Sequence, residues 1–271
     1  MGQEQLMQES YFIAGYFLLG SVAGVFAGLL GVGGGLIIVP VLIFLFTLQG
    51  FDHSVIAHAA IGSALATMMA TSVSSARAHH LHGGVNWPVF FKFAPGLLIG
   101  ALAGAWLAGQ MDTLMLKKVL GVFVILVSIQ LVTGKQPLSE RVLPSMPALS
   151  LTGSIIGTIS GLVGIGGGSM TVPYLTWHGV SIRKAVATSS ACGLPIALAG
   201  FAGFVLTGWQ NNLMPSMSAG YIYWPAVIAL SIMSVLTAPL GARLAHRLPV
   251  LMLKKIFAAL LVIIGIRLLM S

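Results

Sequence analysis

Three consecutive glycines occur twice, Gly33-Gly34-Gly35 and Gly166-Gly167-Gly168, and they are the residues here best suited to binding chemistry. Each triplet sits in a longer motif. Gly28-Leu-Leu-Gly31-Val-Gly33-Gly34-Gly35-Leu-Ile-Ile-Val39-Pro40 returns 133 residues later as Gly161-Leu-Val-Gly164-Ile-Gly166-Gly167-Gly168-Ser-Met-Thr-Val172-Pro173. A glycine cluster between apolar stretches breaks a helix, because glycine reaches backbone conformations that other residues avoid. Successive N–H groups can then form a concave nest, with the positive end of the restarting helix pointing at the gap. The chemistry this offers is anion binding by backbone amides. Pro40 and Pro173 lie five residues past the last glycine, where proline is better tolerated than deep in a helix. A single Gly-x-x-x-Gly, such as Gly96 to Gly100, reads as helix packing. The duplicated triplet reads as a ligand site. Neither copy completes a dinucleotide fingerprint, since Leu36 and Ser169 stand where the last glycine would be.

The elements that must hold these glycines are membrane helices. The chain is 57% hydrophobic and 7% charged, with a mean hydropathy of +1.01, whereas soluble domains carry about 25% charged residues. Stretches near 11–30, 57–76, 88–108, 116–133, 148–164, 185–207, 222–240 and 251–270 are long and apolar enough to span. Shorter apolar pieces, 36–48 and 169–178, follow the glycines. The expected fold is an all-α polytopic membrane protein of about eight spans. Residues 1–10 form an N-terminal tail with two glutamates and no basic start, so the first span is expected to be retained.

The duplication extends beyond the glycines. Ala60-Ile-Gly-Ser63-Ala64 parallels Ala185-Val-Ala-Thr188-Ser189, Trp87-Pro88 parallels Trp224-Pro225, Gly104-Ala-Trp106 parallels Gly241-Ala-Arg243, and Lys117-Lys118 parallels Lys254-Lys255. Two repeats follow, residues 11–133 and 148–271, joined by a polar linker at 134–147. With each broken segment counted as one span, every half has four spans, and an even number makes the repeats parallel. Lys117, Lys118, Arg183, Lys184, Arg243, Arg247, Lys254 and Lys255 then share the cytoplasmic side, with both termini outside.

The acids sharpen the substrate class. Glu4, Glu9, Asp52, Asp112 and Glu140 all fall in the tail or in expected loops. Cation carriers and proton relays usually place carboxylates at membrane depth, so an anionic substrate is expected. Candidate ligands are the amides of Gly31, Gly33, Gly34, Gly35, Gly164, Gly166, Gly167 and Gly168, with the hydroxyls of Ser169 and Thr171. Ser63, Thr188, Ser189 and Ser190 recur at one repeat position and read equally as ligands or as helix caps. Arg77 with His79, His80 and His82 reads as a basic vestibule, the histidines at a solvated helix end. His79 and His82 have metal-pair spacing without carboxylate or cysteine partners, so no metal or cofactor is implied. His58 and His178 are the residues that could couple transport to protons. The net charge of +8 is explained by basic residues at span ends rather than by nucleic acid. Cys192 has Thr188 and Ile196 at i±4 and no evident base, and no enzyme is expected.

On these motifs the chain resembles the TauE/SafE family, also called the sulfite exporter or toluene-sulfonate uptake permease family, over residues 11 to 270. The resemblance implies a carrier in a bacterial or archaeal inner membrane for sulfite, organosulfonates or related sulfur-containing or organic anions. An anion channel using the same glycine nests is the alternative. One departure stands out: Gly62-Ser63-Ala64 occupies the place where the family commonly has the Thr-Ser pair that Thr188-Ser189 keeps.

Overall fold

A computed structural model describes residues 3–30, 34–133, 143–244 and 250–270. The described residues form a bundle of ten helices: α1 (Gln3–Leu30), α2 (Gly35–Leu48), α3 (Ile56–Leu81), α4 (Trp87–Gly109), α5 (Thr113–Thr133), α6 (Met146–Val163), α7 (Gly168–Trp177), α8 (Ile182–Gly208), α9 (Trp224–Leu244) and α10 (Val250–Met270). A two-stranded ribbon, β1 (Ser218–Ala219) and β2 (Ile222–Tyr223), precedes α9. Seven of the helices, α1, α3, α4, α5, α6, α8 and α9, are long and apolar enough to cross a membrane. The exposed side chains Leu18, Ile99, Leu126, Ile155, Leu206, Leu236 and Ile263 suit lipid rather than water. This is a polytopic, all-α membrane protein.

Local chemistry fixes the helix ends. Asn86 Oδ1 accepts the Val89 amide at 3.3 Å and Pro88 follows in the first turn of α4. Asp112 Oδ1 accepts the Met115 amide at 2.6 Å and caps α5. Gly164 closes α6 at φ +72°, a left-handed conformation that glycine adopts without strain.

Small residues set the packing. Gly96, Gly100 and Gly104 on α4 lie directly on the backbone of Ser150, Ser154 and Thr158, while Gly153, Gly157 and Gly161 on α6 face Phe93, Leu97 and Ala101. Gly20, Gly24 and Gly28 on α1 meet α9 at Leu230, Ser234 and Ala238 in the same manner. No driving force from water acts between membrane helices, so close backbone approach supplies the contact energy. The first helix of each half therefore packs on the fourth helix of the other. Gly28 and Gly161, which open the duplicated motif, are packing residues.

These contacts also give helix directions, and they differ from the parallel arrangement expected from four spans per half. Along α1 and α9 the partners rise together, as they do along α4 and α6, so each of these pairs is parallel. Leu65 faces Gly200, Ser72 faces Gly193 and Ser75 bonds Ser190, so α3 and α8 are antiparallel. Gly121 against Leu269 and Ser128 on the Ala258 carbonyl make α5 and α10 antiparallel too. The cause lies in the short helices. A Cβ on Gly34 would sit 3.1 Å from the Ala23 carbonyl oxygen, and Tyr16 donates to Gln49 at 2.7 Å, so α2 doubles back along α1. Gly167 beside Ile156, and the Thr152–Tyr174 hydroxyl bond at 3.3 Å, show α7 doubling back along α6. The glycine breaks are reversals. Each half holds an odd number of segments, and matching helices run in opposite senses, which is the inverted arrangement.

Charge sorts accordingly. Arg77, Lys92, Arg183, Lys184, Arg243 and the opening turns of α10 with Lys254 and Lys255 gather at one end. Asp52, Asp112, Lys117, Lys118 and Arg267 lie toward the other, where Arg267 stacks 4.8 Å over Phe44. Lys117 and Lys118 thus sit opposite the group they were expected to join. Arg247, Lys135 and Arg141 lie outside the described residues.

Candidate functional site

The two reversals meet inside the bundle. A Cβ on Gly35 would collide with the Gly164 carbonyl and lie 2.9 Å from Ile165 Cα, so only glycine allows the first tip to rest on the second. Gly164 in turn is pressed against Ile61 and Val39. The second tip then enters α7 with donors to spare. Met170 and Thr171 amides bond to the Gly167 carbonyl at 3.1 and 2.6 Å, whereas the N–H groups of Gly166, Gly167, Gly168 and Ser169 find no carbonyl among the described residues. The opening amides of a helix have no partner within it, and here they are buried together.

Hydroxyls gather at the same hairpin. Ser160, Ser169 and Thr171 are 0%, 7% and 0% exposed, and none of their oxygens has a hydrogen-bond partner among the described residues. That is unusual in this bundle. Thr67, Thr158, Ser154 and Thr207 all bond back to the carbonyl four residues earlier. Thr171 does not, and the Gly167 carbonyl four residues earlier already takes two amides. An unpaired buried hydroxyl costs about 1–3 kcal/mol, so three at one reversal are a concentrated donor set. Pro173, sixth residue of α7, also removes the amide that would bond the Ser169 carbonyl. The second reversal thus brings buried amides, a helix N-terminus and three hydroxyls into one hairpin, donor chemistry of the kind that oxyanion oxygens accept.

The family model described as sulfite exporter TauE/SafE matches residues 16–268. The chain belongs to the TauE/SafE family. A "Probable membrane transporter protein" of Haemophilus influenzae is 35% identical over 257 residues, covering 94% of this chain and 97% of the relative. "Probable membrane transporter protein MJ0441" of Methanocaldococcus jannaschii is 25% identical, covering 92% of each chain. YunE of Bacillus subtilis, a probable membrane transporter protein, is 28% identical over 93% of this chain and 95% of its own. No solved structure matches. This TauE/SafE protein is thus a multi-pass member of a transporter family.

Other candidates take different places in this TauE/SafE chain. Gly34, Gly35, Gly164, Gly166, Gly167, Gly168, Ser169 and Thr171 line the two tips, while Gly31 and Gly33 lie outside the described residues. Pro40 and Pro173 sit inside α2 and α7 without ending them. Ser63 is two turns into α3, where its Oγ accepts the Tyr223 amide at 3.0 Å and so ties α3 to the ribbon. Thr188 Oγ1 accepts the Asn86 amide at 2.9 Å and holds the α3–α4 loop on α8. Ser190 bonds Ser75 at 3.3 Å and Ser189 is buried beside them. The Ser63 and Thr188 oxygens are therefore acceptors of structural bonds, and neither residue opens its helix.

The histidines separate likewise. His79 was expected at a solvated end, yet it is 3% exposed and donates from Nε2 to the Gly28 carbonyl at 3.0 Å, anchoring the end of α1. His58 Nε2 donates to Ala108 at 3.1 Å and its ring stacks on Tyr221. His178 Nδ1 donates to Tyr174 at 2.8 Å and closes α7. Ser160 is the residue that sequence reasoning missed. Its signal was present in the duplication, because the matching residue of the first copy is Ala27.

Proposed function

We propose that this protein is a secondary transporter of small anions, sulfite, organosulfonates or related sulfur-containing or organic anions, with the oxyanion held at the second glycine reversal. The family description supports the sulfur-oxyanion class. The observation that carries the site is the set of unpartnered hydroxyls of Ser160, Ser169 and Thr171 beside the open amides of Gly166 to Ser169. In this reading the oxyanion sheds its water as it binds. Amide and hydroxyl donors replace its water, each hydrogen bond to the charged group contributing about 1.5–3 kcal/mol. The halves, 11–133 and 148–271, rock about the crossed tips to expose the site alternately. The basic end faces the cytoplasm and both termini lie outside, in keeping with the positive-inside rule.

The test is counterflow in proteoliposomes loaded with sulfite or a small sulfonate. A carrier accelerates exchange when substrate is present on both sides, and Ser169→Ala combined with Thr171→Val slows it. Flux without accelerated exchange means a channel. Full exchange by the double variant removes the second reversal from the mechanism.

A further inference from the structure

A cleft of about 860 Å³ opens on the flank of the bundle between α3, α8 and α9, and no described glycine of the two tips lines it. Its walls are apolar, formed by Met69, Val73, Leu194, Leu198 and Val235. Val73 and Leu198 are about half exposed, at 52% and 47%, on a surface that faces lipid. At its basic end the cleft holds two guanidinium groups, Arg77 from α3 and Arg243 from α9. Neither forms an ion pair with a described acid, since Asp52 and Asp112 lie toward the opposite end. The cleft floor is fixed by chemistry of its own. Pro239 lacks the amide that would bond the Val235 carbonyl, and Ser74 Oγ supplies the missing donor at 2.9 Å. That bond joins α3 to α9 and holds the two arginines on one groove.

An apolar trough open to lipid, with a pair of cations at one end, has the polarity of an anionic amphiphile. We infer that the cleft binds an anionic phospholipid of the leaflet at the basic end, its phosphate clamped by Arg77 and Arg243 and one acyl chain along Met69, Val73, Leu194 and Leu198. Guanidinium groups bind phosphate oxygens bidentately, and basic pockets between membrane helices are a recurrent lipid-headgroup device. The duplicated motif supports a leaflet-specific role. Inversion puts Trp106, half exposed at 59%, where the matching helix has Arg243, so the corresponding position at the other end carries an interfacial aromatic and no cation. A second copy of the chain is disfavoured as occupant, because a symmetric contact through this groove would bring two arginine pairs together. A small anionic substrate would leave the apolar wall without a partner.

The experiment is native mass spectrometry of the full-length protein from detergent, titrated with phosphatidylglycerol or phosphatidylcholine. Phosphatidylglycerol should be retained in preference. Arg77→Gln with Arg243→Gln should weaken that retention about thirtyfold, the effect of two basic residues on anionic-lipid affinity. Leu198→Trp, which fills the trough and keeps both charges, should also weaken it, whereas Lys118→Gln at the opposite end should not. Equal retention of both lipids, or undiminished phosphatidylglycerol binding by the arginine double variant, overturns the assignment. Two further results also overturn it: displacement of the lipid by a small sulfonate, or dimerisation through the groove.

Discussion

The two glycine reversals share a sequence pattern and a backbone strategy, yet they are built as different environments. Around the first, the three positions are Ala27, Leu36 and Ile38, at most 1% exposed and wholly apolar. Around the second they are Ser160, Ser169 and Thr171, also buried and without hydrogen-bond partners among the described residues. The glycine conformations differ as well, for Gly34 is left-handed at φ +78° while its counterpart Gly167 is right-handed at −55°. The two copies thus share a glycine motif and a chain reversal but not the side chains around it. At the first, Gly35 seats on the Gly164 carbonyl beside apolar side chains. The second tip is the polar cradle. An inverted pair of breaks therefore need not present two equal half-sites.

Breaking the Gly35 contact should have the largest effect. Gly35→Val places a branched side chain on the Gly164 backbone, and no side-chain rotation relieves a clash with main chain. We expect a destabilisation of about 1–3 kcal/mol or more and loss of transport, read by thermal melting and by counterflow. Retained melting temperature and flux would show that the tips do not depend on each other.

Emptying the cradle should separate binding from stability. Ser169→Ala with Thr171→Val removes buried unpaired hydroxyls, so stability should hold or rise, by up to about 1–3 kcal/mol per group, read as an unchanged or raised melting temperature. Substrate affinity should fall about a hundredfold or more, the loss expected for two hydrogen bonds to a charged group. A variant that loses stability and affinity together would reassign both hydroxyls to the fold.

The reciprocal change sharpens the comparison. Leu36→Ser with Ile38→Thr gives the first tip the second tip's hydroxyls, at a cost of about 1–3 kcal/mol for each left unpaired. Affinity should not improve, because Ala27 still stands where the second copy has Ser160. A gain in affinity would show that side-chain hydroxyls alone make a half-site. The smallest effect is expected at Ser63. Ser63→Ala removes its bond to the Tyr223 amide, costs about 1 kcal/mol and leaves the substrate KM unchanged.

Much of this was legible in the chain. Composition and span length gave the membrane class, and the glycine triplets marked where helices break, because few other residues permit it. Helix direction was not legible. Whether a short apolar segment such as 36–48 continues or doubles back depends on its contacts with Tyr16 and Ala23, which sequence spacing does not encode. One reversal per half changes the parity of the segments, so the whole symmetry inverted with it. The roles of Ser63 and Thr188 were hidden for a similar reason, since their partners, Tyr223 and Asn86, are distant in sequence. Ser160 was hidden differently. Serine on a membrane helix ordinarily bonds its own backbone, and only the structure shows that this one does not.

The most direct test is a thermal-shift titration of purified protein with sulfite and a small sulfonate, chloride serving as control, run on three proteins. These are the unaltered chain, the Ser169→Ala, Thr171→Val variant and the Leu36→Ser, Ile38→Thr variant. A ligand stabilises the fold it binds, so a concentration-dependent upward shift is expected in the first and third and none in the second. An equal shift in all three, or a shift lost only when the first reversal is altered, would contradict it.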